Sequence, residues 1–156
     1  MMESFQELGL LGLFLSSFLA ATIVPLSSEI VLSALLLSGI DPLGALVVAI
    51  CGNWLGGITT YLLGRLGRWS LIERWFKVKR ETLEREKRRV ERWGALLAFI
   101  TWFPLIGDLL FLALGFYRVN FSKCALYSLM GRSLRFGVWV LLFELMGRGL
   151  FNFSIL

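Results

Sequence analysis

The sequence predicts an all-α polytopic membrane protein made of two inverted repeats. Three observations predict it. Residues 8–28 and 42–64 carry no charge, and each stretch is about long enough to cross a bilayer. Apolar side chains make up 57 % of the 156 residues and mean hydropathy is +0.75, more apolar surface than a soluble domain of this length can hide. A pattern of Pro-Leu-x-x-acid followed by three apolar residues occurs twice, as PLSSEIVL at 25–32 and PLIGDLLF at 104–111. The length suits a single domain, residues 1–156.

The first repeat covers residues 8–66. Glu3 and Glu7 stand where a signal peptide would carry positive charge, so the apolar segment after them is expected to be retained. Residues 8–40 are apolar, but Pro25, Ser27, Ser28 and Glu29 interrupt them. A straight span would place a proline and a charge deep in lipid. A re-entrant hairpin of two half-helices with its break at these residues avoids that, because broken backbone at membrane depth is tolerated where protein or a water-filled cavity covers it. GIDPLG at 39–44 is a turn and helix start, with Asp41 suited to the N-cap and Pro42 to the first helical position. Residues 43–64 then read as a full span. Ala49, Asn53, Gly56, Thr60 and Gly64 share one face of small or polar side chains, which lets another helix approach closely.

Residues 67–93 form the linker. Eleven of the sixteen Lys and Arg fall in residues 65–94, whereas residues 1–64 have none. Trp69, Ile72, Phe76, Leu83, Val90 and Trp93 fall on roughly one stripe. The expectation is an amphipathic helix in the interface plane on the cytoplasmic face. Its partner is an anionic lipid surface, and no nucleic-acid partner is expected.

The second repeat, residues 94–148, follows the same plan. A hairpin over 94–117 breaks at Pro104 and Gly107. An interfacial turn at 117–123 carries Arg118 and Lys123, with Asn120 and Ser122 available as caps. Residues 122–147 form a second full span, which carries Arg132, Arg135 and Glu144; Glu144 and Arg148 are spaced as a helix pair. Gly52-Asn53 and Asp41 align with Gly131-Arg132 and Asn120 at the offset of the Pro-Leu motif. A hairpin crosses the membrane zero times and a span once. Each half therefore crosses once, and the second half must be inverted relative to the first, as in transporters with broken helices.

The chemistry open to this chain is narrow. It has no histidine, which removes the commonest general base and metal ligand. Cys51 and Cys124 have no metal-type spacing and read as packing residues. No metal, cofactor or catalytic residue is expected. Four charges fall near mid-depth: Glu29, Asp108, Arg132 and Arg135. An isolated charge there costs about 2.5–3.5 kcal/mol, so the four must pair or face water. Arg132, Arg135 and mid-span Asn53 are candidate substrate-binding residues, since guanidinium groups bind phosphate bidentately. Desolvation disfavours the charged form of a carboxyl group, which makes Glu29 and Asp108 candidates for proton coupling.

The sequences PLSSEIVLSALLLSG, GNWLGGITTYLLGRLGRW and GFYRVNFSKCALYSLMGRSLR resemble the DedA family, also called the VTT or SNARE-associated family. WFPLIGDLL resembles its YqaA-like branch. The resemblance implies two facing re-entrant hairpins, a bacterial inner-membrane location and lipid translocation, with phospholipid or polyprenyl phosphate as substrate. By that resemblance Glu29 matches the family's acidic residue after the first proline, and Arg118 its basic residue after Gly-x-x. Asn53 stands where many members have Asp. Thr101 and Gly107 stand where many have arginines flanking the second proline. The expected function is lipid scrambling or proton-coupled flipping, with a homodimer as a candidate assembly. The rivals are a membrane-embedded enzyme acting on lipid phosphates and a non-transporting lipid-binding scaffold.

Overall fold

A computed structural model describes residues 2–22, 28–67, 79–101, 103 and 106–153, together with Ser70 and Arg74. Pro25, Ser27 and Pro104 lie outside the described residues, as do Trp69, Ile72 and Phe76 and the side chain of Arg148. All regular structure among the described residues is helical.

Helix α1 runs over Met2–Ala20 and stops in a tight turn, where Ala21 N–H and Thr22 N–H bond back to Phe18 and Leu19 carbonyls. The Thr22 hydroxyl also donates to Leu19 O at 3.0 Å. The chain resumes as α2, Ser28–Leu37. Ser28, expected in the break, is thus the first residue of α2 and fully buried. Gly9 near the start of α1 faces the Leu35 side chain near the end of α2, so the two helices run antiparallel.

The turn into the next helix repeats in the second half, contact for contact. Gly39 has φ +84°; Gly39 N–H bonds to Leu36 O and Ile40 N–H to Leu35 O, the pattern that closes a helix through a left-handed residue. Asp41 then caps α3, Pro42–Arg65, by accepting from Gly44 N–H at 2.7 Å. After α6 (Ile106–Phe116), Arg118 has φ +55°, with Arg118 N–H bonding to Gly115 O and Val119 N–H to Leu114 O. Asn120 caps α7, Phe121–Phe153, by accepting from Lys123 N–H at 3.1 Å, while Ser122 sits inside the helix. Every one of these positions is shifted by the spacing of the Pro-Leu motif.

Between the halves lie α4 (Arg80–Trp93), a 3-10 turn (Gly94–Leu96) and the short α5 (Leu97–Ile100). The linker stripe is only partly exposed. Trp93 is exposed, but Val90 is buried in a core with Leu97, Ala98 and Leu110. Gly107, in the first turn of α6, lies against the Thr101 backbone, where a β-carbon would collide. That close approach leaves no room for a side chain at position 107.

Helix α3 is central. Its Gly52 and Gly56 face backbone carbonyls of Phe14 and Phe18 in α1. Gly64 faces the carbonyl of Leu112 in α6, and Gly115 of α6 faces that of Tyr61. Trp54 Nε1 donates to Ala125 O at 2.9 Å and ties α3 to α7. Backbones come this close only without side chains between them, which is how membrane helices pack.

The exterior is unusually apolar, and several polar side chains are buried beside the apolar core. Leu8, Leu37, Leu43, Leu126 and Met146 are exposed, while Ser17, Asn53, Thr60, Ser128 and Arg132 are buried. A soluble protein has the opposite bias. Among the described residues, α3 is the one helix long and apolar enough to cross a membrane. Helix α7 is longer, 33 residues, and carries its arginines within.

Four substitutions test this packing and these turns. Gly64→Ala drives a methyl into the Leu112 backbone and is expected to cost about 1–3 kcal/mol; Gly12, with nothing near its β-carbon position, tolerates alanine without loss. Thermal unfolding in detergent reads both. Arg118→Gly removes the cost of a left-handed non-glycine residue and is expected to gain about 1 kcal/mol, whereas Gly39→Ala loses a similar amount.

Candidate mid-depth charged site

The two carboxylates occupy equivalent local positions. Glu29 is in the first turn of α2 and Asp108 in the first turn of α6. Unsatisfied N–H groups make a helix N-terminus partly positive, so each half-length helix favours an anion at its own start. Each carboxylate is then answered by an arginine from α7. Arg135 pairs with Glu29, and Arg132 Nη2 lies 3.6 Å from Asp108 Oδ1. The four charges singled out in the sequence thus meet in two pairs, on one helix.

The pairs differ in setting. Arg132 is 2 % exposed and locked. Its Nη1 donates to the Asn53 backbone carbonyl at 2.8 Å and to the Asn53 side-chain oxygen. Asn53 Nδ2 in turn donates to Ser17 O of α1 at 3.1 Å. The Phe111 ring lies 6.0 Å from the guanidinium carbon. A β-carbon on Gly57 would stand 2.6 Å from Nη2, so α3 makes room for this guanidinium by lacking a side chain there. Arg132 Nε and Nη2 and Ser17 Oγ are buried without hydrogen-bond partners.

The other pair is looser. Arg135 and Glu29 side chains are 20 % and 16 % exposed. Ser28 Oγ lies 3.5 Å from Glu29 Oε2. One turn further along both helices, Trp139 Nε1 donates to Ser33 Oγ at 3.1 Å.

Asn53, expected to meet substrate, is instead a strut between α1 and Arg132. Arg118 stands apart, exposed in the turn before α7. Sequence reasoning missed Gly57, Ser17 and the Ser33–Trp139 contact. The double glycine at 56–57 was the available signal for the first; the others depend on helix packing and left none. Among the described residues no group of three metal-ligating side chains occurs, and the two cysteines are free, Cys51 exposed and Cys124 buried.

A chain whose described residues are all helical where regular, with many large apolar side chains exposed and ionic groups paired inside it, has the character of a helical membrane protein. The VTT domain matches residues 24–145, most of the chain. The protein therefore belongs to the VTT-domain, or DedA, family, and it is an inner-membrane protein. It is 38 % identical over 132 residues to inner membrane protein YqaA of Escherichia coli (strain K12), covering 84 % of this chain and 88 % of the relative. The YqaA protein of Shigella flexneri matches to the same extent. An uncharacterized protein of Haemophilus influenzae is 31 % identical over 142 residues, covering 86 % of this chain and 87 % of that one. No solved structure matches.

The two arginines are expected to differ in what they support. Arg132→Ala strands Asp108 and the Asn53 oxygens and should cost about 3–5 kcal/mol, the scale of breaking a buried pair. Arg135→Ala, at a half-open position, should cost less than half as much. Unfolding midpoints in detergent, compared side by side, decide it.

Proposed function

We propose that the protein translocates phosphate-bearing lipids across the inner membrane, with the Glu29–Arg135 and Asp108–Arg132 pairs as its mid-depth site. One observation carries this reading: two half-length helices each begin with a carboxylate, and one long helix answers both. Half-helix ends that meet within the bilayer are how transporters present charge to a substrate without leaving backbone unpaired in lipid. The matching turns at Gly39 and Arg118, and at Asp41 and Asn120, support two repeats, and the crossing parity makes them inverted. In that arrangement α1 with α2, and α5 with α6, are the arms of re-entrant hairpins, and the basic linker faces the cytoplasm.

The pairs give the site its chemistry. A lone charge at mid-depth is expensive, and pairing lowers that cost. Glu29 holds Arg135 between substrate molecules, and a phosphate oxygen replaces the carboxylate on that guanidinium during passage, while the enclosed Asp108–Arg132 pair backs the site. Protonation of the displaced carboxyl group keeps the site neutral, which couples passage to protons. Ion pairing alone is a weak reason to retain four buried charges, because desolvation offsets the attraction.

The test is reconstitution in liposomes with fluorescent phospholipid or labelled polyprenyl phosphate, followed with and without a pH gradient. Wild type is expected to equilibrate a phosphate-bearing lipid between leaflets, and Glu29→Gln to slow it at least about tenfold, the worth of roughly 1.4 kcal/mol. Wild-type protein that moves no lipid of either class, or a Glu29→Gln variant as fast as wild type, contradicts the proposal.

A further inference from the structure

The two half-length helices are embedded to very different depths. In α6, Gly107 and Leu110 through Gly115 are all buried, and its backbone touches α3 at Gly64 and Gly115. In α2, only Ser28 and Leu32 are buried. Helix α2 meets α7 through Glu29–Arg135 and Ser33–Trp139. These residues are one turn apart on each helix, so they form a polar ladder of two rungs spaced about 6 Å along parallel helices. The ladder opens to the exterior: Trp139 is 42 % exposed, and Val138 beside it is 46 % exposed. Helix α6, by contrast, is buried by glycine-mediated backbone contact with α3.

From this asymmetry, and resting on the lipid-translocation reading above, we propose that the α2–α7 seam is the lateral docking slot for the phosphate of a membrane lipid. Arg132 is the fixed strut behind it. The donors suit an oxyanion. Arg135 offers guanidinium N–H groups, and Trp139 offers its indole N–H. Ser33 accepts the indole bond, so its own hydroxyl proton is free to donate. The acyl chains remain in the bilayer against Ile30, Leu134 and Leu142, all exposed. The ladder runs from the mid-depth pair toward the end of the molecule where Asp41 caps α3, so the slot serves the leaflet on that side. Arg132 cannot serve it: two Asn53 oxygens, Gly57 and Phe111 enclose its guanidinium.

The test places a photoreactive benzoylphenylalanine at Val138, on the seam, or at Leu126, on the exposed opposite end of α7. Purified full-length protein in dodecyl maltoside micelles, which carry no phosphate, is irradiated with labelled phosphatidic acid or with diacylglycerol bearing the same acyl chains. The Val138 site is expected to capture phosphatidic acid about fivefold or more over diacylglycerol, the scale of a charge-assisted hydrogen bond. The Leu126 site captures both alike. Arg135→Gln abolishes the preference, and Arg135→Lys, which keeps the charge, retains part of it. Equal capture of the two lipids at Val138, or a preference that survives Arg135→Gln, overturns the slot. The readout involves no flipping: a preference at the seam without translocation sinks the transport reading alone, and translocation without the preference sinks the slot alone.

Discussion

A carboxylate at the start of a half-length helix, answered by an arginine from a single long helix, is the interaction on which the fold depends. The helix start favours the anion through its own unsatisfied N–H groups, so the carboxylate is not merely tolerated there. The arginine makes the arrangement neutral. Without the second charge, each half-length helix would carry an uncompensated ion into an apolar setting. Because Glu29 and Asp108 lie in different halves and both partners lie on α7, this helix binds the two halves together.

Close backbone packing supplies the rest. Glycines on α3 and α6 admit neighbouring backbones, so α1, α3 and α6 form a dense slab against which α7 crosses. The density is uneven. It is high around Arg132, where Asn53 and Gly57 fix the guanidinium, and lower around Arg135, where α2 meets α7 through side chains rather than close backbone contact. Two arginines three residues apart therefore sit in different settings: one is enclosed, the other partly exposed. Pairing chemistry makes both necessary, and packing decides which one a ligand could reach.

Much of this was legible in the sequence because its causes are local. The spacing of the Pro-Leu motif anticipated the matched turns, and Asp41-Pro42 announced the cap of α3 before any tertiary contact was known. The small face of α3 followed from periodicity. That four mid-depth charges must pair followed from solvation cost alone. What could not be read was who pairs with whom. Assigning Arg132 to Asp108 and Arg135 to Glu29 requires the relative rotation of α7, which many weak contacts set together. The bridging role of Asn53 was hidden for the same reason: a polar residue at mid-span looks the same whether it meets a ligand or a neighbouring helix. Val90 shared a stripe with Trp93, yet the turn at Gly94 points it into the core.

The central claim is that α7 couples the halves through specific charge pairs. A double-mutant cycle on Asp108 and Arg132, using Asp108→Asn, Arg132→Gln and the double variant in lipid nanodiscs, measures that coupling directly. The account predicts strong non-additivity, with a coupling energy of about 1–3 kcal/mol and the double variant more stable than Arg132→Gln alone. Additive losses, with coupling within about 0.3 kcal/mol of zero, would mean that the two charges are neighbours without being partners.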